Sequence, residues 1–125
     1  MNSWYTLYNI FLWEGDLIMN LSIRSENKAD IIVLYVAGEI DAYTAPKLRE
    51  ALIPLAEKGT NVKVDLSDVQ YIDSTGLGVF IGALKASDAN NAKLTLVGMS
   101  ARVQRLFTIT GLDEVMAIEE EEGSK

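Results

Sequence analysis

One short region most constrains what this chain can fold into: there, the hydrophobic period changes from two residues to about 3.6. Val62, Val64 and Leu66 alternate with Lys63 and Asp65, the repeat of a half-buried strand. Ser67-Asp68 is expected to begin a turn, and Tyr71-Ile72 then lead into Asp73-Ser74-Thr75-Gly76-Leu77-Gly78. Beyond it Leu77, Phe80, Ile81 and Leu84 recur at helical spacing and are expected to point inward. A strand therefore feeds into a helix through an acid and two hydroxyls. Such residues favour helix starts, because their oxygens accept hydrogen bonds from otherwise unpaired backbone N–H groups.

The glycines need a separate reason. Each costs about 1 kcal/mol against Ala inside a helix, and Gly76, Gly78 and Gly82 fall in one short helix. Two readings stand: a helix cap with tight helix–sheet packing, or a hydroxyl displayed for modification where something approaches the backbone closely. Gly78, Gly82 and Ala86 also form a line of small residues at i, i+4 and i+8. Close packing of that line on the sheet is expected, with a partner helix resting on it as the alternative.

The rest of the chain repeats the two patterns. Residues 21–25 alternate as a strand, and residues 31–36 form a β-branched run suited to a buried one, with Asn27-Lys28-Ala29-Asp30 as the hairpin connection. Gly38-Glu39-Ile40-Asp41 is expected to close the second strand in a loop carrying two acids. Thr44 should cap a helix with Pro46 in its first turn, Leu48, Ala51, Leu52 and Leu55 as its core stripe, and Gly59 just past its end. Asp88-Ala89-Asn90-Asn91 reads as a turn, and residues 94–97 as a fourth strand. Ser100 should cap a further helix that turns Val103, Leu106 and Phe107 inward, leaves Arg102 and Arg105 in water, and ends at Gly111. Residues 115–118 fit a last short strand or a helical turn, followed by the acidic run from Glu119. Two strands followed by alternating helix and strand predict an α/β sheet with a parallel portion and right-handed crossovers.

Composition removes several kinds of chemistry. A chain of 125 residues is one domain by size. Its net charge of −7, with no basic stripe, argues against a nucleic-acid surface. With no Cys there is no thiolate nucleophile or disulfide, and with no His no imidazole catalysis and few routes to zinc. The inventory is thin for an enzyme and fits a cytoplasmic chain. Residues 1–18 hold both tryptophans and do not share the patterning of the rest of the chain. They lack the basic start and the cleavage site of a signal peptide, and as a membrane span they are too short and contain Glu14 and Asp16. Two readings remain, an extra amphipathic element or a translated leader. The codons of Glu14-Gly15-Asp16 can spell AAGGAG, a ribosome-binding sequence, so translation is expected to start at Met19.

Ser74 is expected at or beside the first helical residue, at the exposed strand end where α/β folds place function. No His and no Gly-x-Ser-x-Gly elbow would activate it. A hydroxyl without its own base can still accept a phosphoryl group when a kinase supplies the base and ATP. The competing reading is a nucleotide site, with N–H groups of Gly76 and Gly78 on phosphate and Asp41 or Asp73 on Mg²⁺, although no Walker-type Gly-Lys-Ser/Thr is present. A dimer contact through the Gly-rich helix is a third.

Four segments taken together, Gly38-Glu39-Ile40-Asp41, Ala45-Pro46-x-Leu48-Arg49, Val64-Asp65-Leu66-Ser67-x-Val69 and Tyr71-Ile72-Asp73-Ser74-Thr75-Gly76-Leu77-Gly78, resemble the STAS-domain family. Within it they are similar to the anti-sigma factor antagonists of the general-stress (sigma-B) type. The resemblance runs over about residues 19–118, leaving 1–18 as an extra segment and 119–125 as an acidic tail. It implies a four- or five-stranded mixed sheet flanked by helices. It also implies that the unphosphorylated protein binds an anti-sigma factor, itself a serine kinase, and frees the sigma factor. Phosphorylation of Ser74 would end that binding, and a PP2C-type phosphatase would restore it. Thr75 ranks second as acceptor by family position, although the sequence alone does not separate the two hydroxyls. The resemblance makes Glu39, Asp41, Asp73, Thr75, Gly76, Leu77 and Gly78 the expected site neighbours and partner contacts. It implies no cofactor, metal, nucleic acid or membrane. A STAS subunit of another signalling assembly is the alternative within the family.

Overall fold

The computed structural model describes residues 20–120. The segment 1–18, the start at Met19 and the tail beyond Glu120 lie outside the described residues. The β-branched run at Ile31 is the inner strand of a hairpin: β1 (Leu21–Lys28) pairs antiparallel with β2 (Ile31–Ile40), from Leu21 opposite Gly38 to Lys28 opposite Ile31. The connection is Ala29-Asp30 alone, tighter than the four residues expected, and Ala29 takes a left-handed φ of 55° to make it.

β3 (Asn61–Ile72) is the centre of a five-stranded sheet in the order β1-β2-β3-β4-β5. β2, β3, β4 (Leu94–Val97) and β5 (Ala117–Glu119) are mutually parallel. Three helices supply the crossovers: α1 (Ala45–Glu57), α2 (Ser74–Ala89) and α3 (Ala101–Ile109). The mixed sheet of the α/β expectation is therefore present with five strands.

Two expected loops are strand. β2 continues through Gly38 and Glu39 to Ile40, and β3 continues through Ser67 and Asp68, where a turn was expected. The pairing of β2 with β3 shifts register between Tyr35 and Ala37 and again between Gly38 and Glu39. Such irregularities admit polar residues without ending a ladder, and Val69 and Ile72 return to the core beyond them.

Leu34, Val36, Val62, Val64, Leu66, Leu94 and Leu96 form the helix-facing side of the sheet and pack against Leu48, Leu52, Phe80, Val103 and Phe107. The Phe80 and Phe107 rings are 6.1 Å apart and tilted by 56°, a favourable aromatic geometry. The buried stripe of α1 is Ala45, Leu48, Leu52 and Ala56; Ala51 and Leu55 are only half-buried, because they flank an open groove between α1 and the β1–β2 hairpin. Gly59 ends α1 with a φ of 80°.

α2 corrects two expectations. It runs through Asp88 and Ala89, so the turn shrinks to Asn90 and Asn91, with the Asn90 side-chain amide donating to the Ala86 carbonyl at 2.8 Å. Its line of small residues does not pack on the sheet. Gly78 faces open space and Gly82 meets only Ile53 of α1, while the buried face carries Gly76, Leu77, Val79, Phe80 and Ala83, with Ile81 and Leu84 half-buried. Ser100 caps α3 through its hydroxyl, which accepts from Val103 N at 3.2 Å, and Arg102 and Arg105 are exposed. Gly111, at φ 79°, starts a 3-10 turn (Leu112–Glu114) that leads into β5. Among the described residues no helix is long and apolar enough to cross a membrane.

Candidate functional site

β2 and β3 end together, with Ile40 paired to Ile72, and Asp73 N donates to the Ile40 carbonyl at 3.1 Å. Loop β2–α1 and junction β3–α2 thus leave the sheet side by side, at the carboxyl end where α/β sheets place their sites. This brings the two acidic segments singled out in the sequence to one edge.

Asp73 is the N-cap of α2. Its backbone is extended (φ −114°, ψ −172°), and its carboxylate accepts from Thr75 N at 2.9 Å and Gly76 N at 3.2 Å. Ser74 is therefore the first residue of the helix, exposed, and no described residue hydrogen-bonds its hydroxyl. Thr75 beside it is exposed too. Gly76 is buried, and a Cβ there would lie 2.5 Å from Ile40 Cγ2 and 2.8 Å from Ile72 Cγ1. The close approach that its sequence implied comes from the protein's own strand ends. Leu77 is buried in the core at 7% exposure, while Gly78 is exposed with nothing near it. Of the expected site set, Ser74, Thr75 and Gly78 are the accessible members on α2.

Asp41 organises the neighbouring loop. Its Oδ1 accepts from Tyr43 N at 2.9 Å and Thr44 N at 3.1 Å, and its carbonyl accepts from Ala45 N at 2.8 Å. Thr44 departs from its expected role: its backbone is already helical and its hydroxyl makes no cap bond. That hydroxyl donates to the Glu39 carbonyl at 2.8 Å and accepts from Asp41 N at 2.9 Å. Buried at 2% exposure, it staples the loop instead of capping the helix. Glu39 is half-buried on β2, in register with Tyr71 of β3.

The edge carries Glu39, Asp41 and Asp73, and among the described residues none of the three is in an ion pair. It is an acidic edge that also carries a free hydroxyl. Asp73 already holds the N–H groups of Thr75 and Gly76, so Gly76 has no N–H to offer a bound phosphate. Among the described residues no three potential ligands cluster to hold a metal. The engaged N–H of Gly76 counts against the nucleotide reading. Chemically, the site can offer a hydroxyl to an outside reagent, and no described carboxylate is hydrogen-bonded to that hydroxyl to act as its base. Sequence reasoning assigned nothing to Tyr43, 82% exposed, or Tyr71, 45% exposed, on this same edge. The one signal was a large ring beside each motif.

A model of the STAS domain matches residues 22–124. The anti-sigma-B factor antagonist of Listeria monocytogenes is 50% identical over 107 residues, covering 84% of this chain and 94% of its own length. Among solved structures, an anti-sigma factor antagonist from Mycobacterium paratuberculosis has a TM-score of 0.72 at 25% identity, over 79% of this chain and 85% of that one. The Bacillus cell fate determinant SpoIIAA in its phosphorylated form has a TM-score of 0.64 at 20% identity, over 82% and 96% respectively, a likeness of fold.

Proposed function

The chain belongs to the STAS-domain family, and from that premise we propose that it is an anti-sigma factor antagonist of the sigma-B type, switched at Ser74. Unphosphorylated, it binds an anti-sigma factor and thereby releases the sigma factor that was held. The anti-sigma factor is also the serine kinase that ends the interaction, and a PP2C-type phosphatase resets it. These partners put its work in the cytoplasm. The protein is a substrate in this cycle and carries out no catalysis.

The observation that carries the reading is the free, exposed hydroxyl of Ser74 on a fixed backbone. In the transfer, the kinase's base takes the hydroxyl proton as Ser74 Oγ attacks the γ-phosphorus of ATP, and the bond to the leaving ADP oxygen breaks. The new group carries about −1.5 to −2 charges at pH 7. Because Asp73 already holds the N–H groups of Thr75 and Gly76, the phosphate stays presented to whatever docks on the edge. A protein of the same fold is known in a phosphorylated form, in keeping with a fold that accommodates the group.

The test is displacement. Unphosphorylated protein added to a purified complex of the anti-sigma factor and its sigma factor should free the sigma factor stoichiometrically. If the sigma factor stays bound at saturating protein, the antagonist reading is wrong and a subunit of another signalling assembly takes its place.

A further inference from the structure

Four large apolar side chains stand exposed among the described residues: Tyr43, Tyr71, Ile109 and Val115. The topology separates them into two pairs. Ile109 ends α3, and Val115 lies just before β5. Since β4 and β5 are parallel, α3 returns to the amino end of the sheet, and this pair lies at the end remote from Ser74. Tyr43 and Tyr71 lie at the carboxyl end with it. Tyr71 precedes Ser74 by three residues, which limits the Cα separation to about 11 Å. Tyr43 sits in the loop that leaves Ile40 beside the β3–α2 junction.

The backbone under the Tyr43 ring is held firmly. Tyr43 N and Thr44 N both donate to Asp41 Oδ1, and the buried Thr44 hydroxyl bridges Glu39 and Asp41. The ring above it remains 82% exposed. A rigid support under a freely solvated aromatic favours binding, because little backbone entropy is left to lose when a partner covers the ring. Tyrosine also combines a large apolar area with few rotatable bonds, and is among the residues most often found to dominate interfaces.

We infer that Tyr43 and Tyr71 are the aromatic anchors through which the anti-sigma factor kinase docks, with Ser74 inside the contact they define. The inference rests on the function proposed above. A kinase must surround the hydroxyl it modifies, and a standard contact of about 800 Å² per partner is a disc of about 16 Å radius, wide enough to include Tyr71. The partner's complementary surface has apolar recesses for two rings, within a basic rim facing Glu39, Asp41 and Asp73. The acids then govern approach, and the rings govern how long the complex lasts.

Titration calorimetry with the purified anti-sigma factor of the same organism tests this. Tyr43→Ala and Tyr71→Ala should each weaken binding by about tenfold or more, the behaviour of interface hot spots. Tyr43→Phe, which keeps the ring, and Ile109→Ala, at the remote end, should bind within about twofold of the unaltered protein. Melting curves check that the variants fold. If Tyr71→Ala weakens its strand, Tyr71→Thr removes the ring while keeping a high strand propensity, and replaces it. Equal binding by the unaltered protein and both ring-deleted variants would overturn the anchors and leave the antagonist function intact. Failure of the unaltered protein to bind would overturn that function, and the anchors with it.

Discussion

Phosphorylation of Ser74 is expected to weaken binding to the anti-sigma factor by more than about 100-fold. A serine phosphate adds about −1.5 to −2 charges at pH 7 to an edge that already holds Glu39, Asp41 and Asp73 without ion-pair partners among the described residues. In the docked complex the phosphate, inside the basic rim, meets the kinase's base and the phosphates of its nucleotide, and one like-charge pair 5 Å apart costs about 3 kcal/mol at an effective dielectric of 20, before screening. If docking loses that amount, affinity falls by more than about 100-fold. The helix terminus offers little in return, about 0.3–1 kcal/mol when exposed, and Asp73 already holds the N–H groups of Thr75 and Gly76. Calorimetry on the two forms measures the ratio directly. Ser74→Ala should bind like the unphosphorylated protein, and Ser74→Asp, with a single charge, should fall between. The ratio should shrink as salt is raised, because the Debye length is about 10 Å at 0.1 M and 3 Å at 1 M. Dissociation constants within about tenfold of each other would rule out a charge-driven switch.

Gly38→Ala is expected to give the largest loss of stability. Gly38 has a φ of 119°, a backbone region that L side chains rarely adopt, and a Cβ there would be driven into the carbonyl oxygen of Asn20. The obstacle is backbone, so no side-chain rotation relieves it. The same carbonyl accepts from Glu39 N at 2.9 Å, so any retreat breaks the bond that holds the start of β1. Backbone strain of about 1–3 kcal/mol and overpacking of about 1–3 kcal/mol together give about 2–6 kcal/mol. That is a large part of the 5–15 kcal/mol typical of a domain, and a midpoint shift of at least about 10 °C. Gly78→Ala makes the contrast. It sits inside a helix with nothing near its missing Cβ, so the substitution should be neutral or stabilising by up to about 1 kcal/mol. Calorimetric melts of the two variants check the pair, and a Gly38→Ala midpoint within about 3 °C of the parent would contradict the clash.

The parts of this fold that were legible in the sequence are those set by neighbours along the chain. The alternation from Val62 to Leu66, the helix start at Asp73-Ser74-Thr75 and the cap at Ser100 each depend on residues within one turn or one strand. What depends on distant partners was not legible. Ser67 and Asp68 carry turn chemistry, yet the ladder with β2 holds them in a strand. Thr44 has the right side chain for a cap, but the Glu39 carbonyl claims its hydroxyl first. Gly76, Gly78 and Gly82 look alike in sequence, and only the position of Ile40 and Ile72 shows that Gly76 alone meets the sheet. At the candidate site, Ser74, Asp73 and Asp41 were singled out because the motif carries them. Tyr43 was passed over because its importance lies in exposure, which no local pattern encodes.

The most direct test is to purify the protein from unstressed cells with phosphatase inhibited and map its tryptic peptides. Cleavage after Lys63 and Lys85 releases residues 64–85 as one peptide, in which Ser67, Tyr71, Ser74 and Thr75 are separable by fragmentation. The switch requires phosphate on Ser74. A peptide recovered only unmodified, or carrying its phosphate on Ser67, Tyr71 or Thr75, would contradict it.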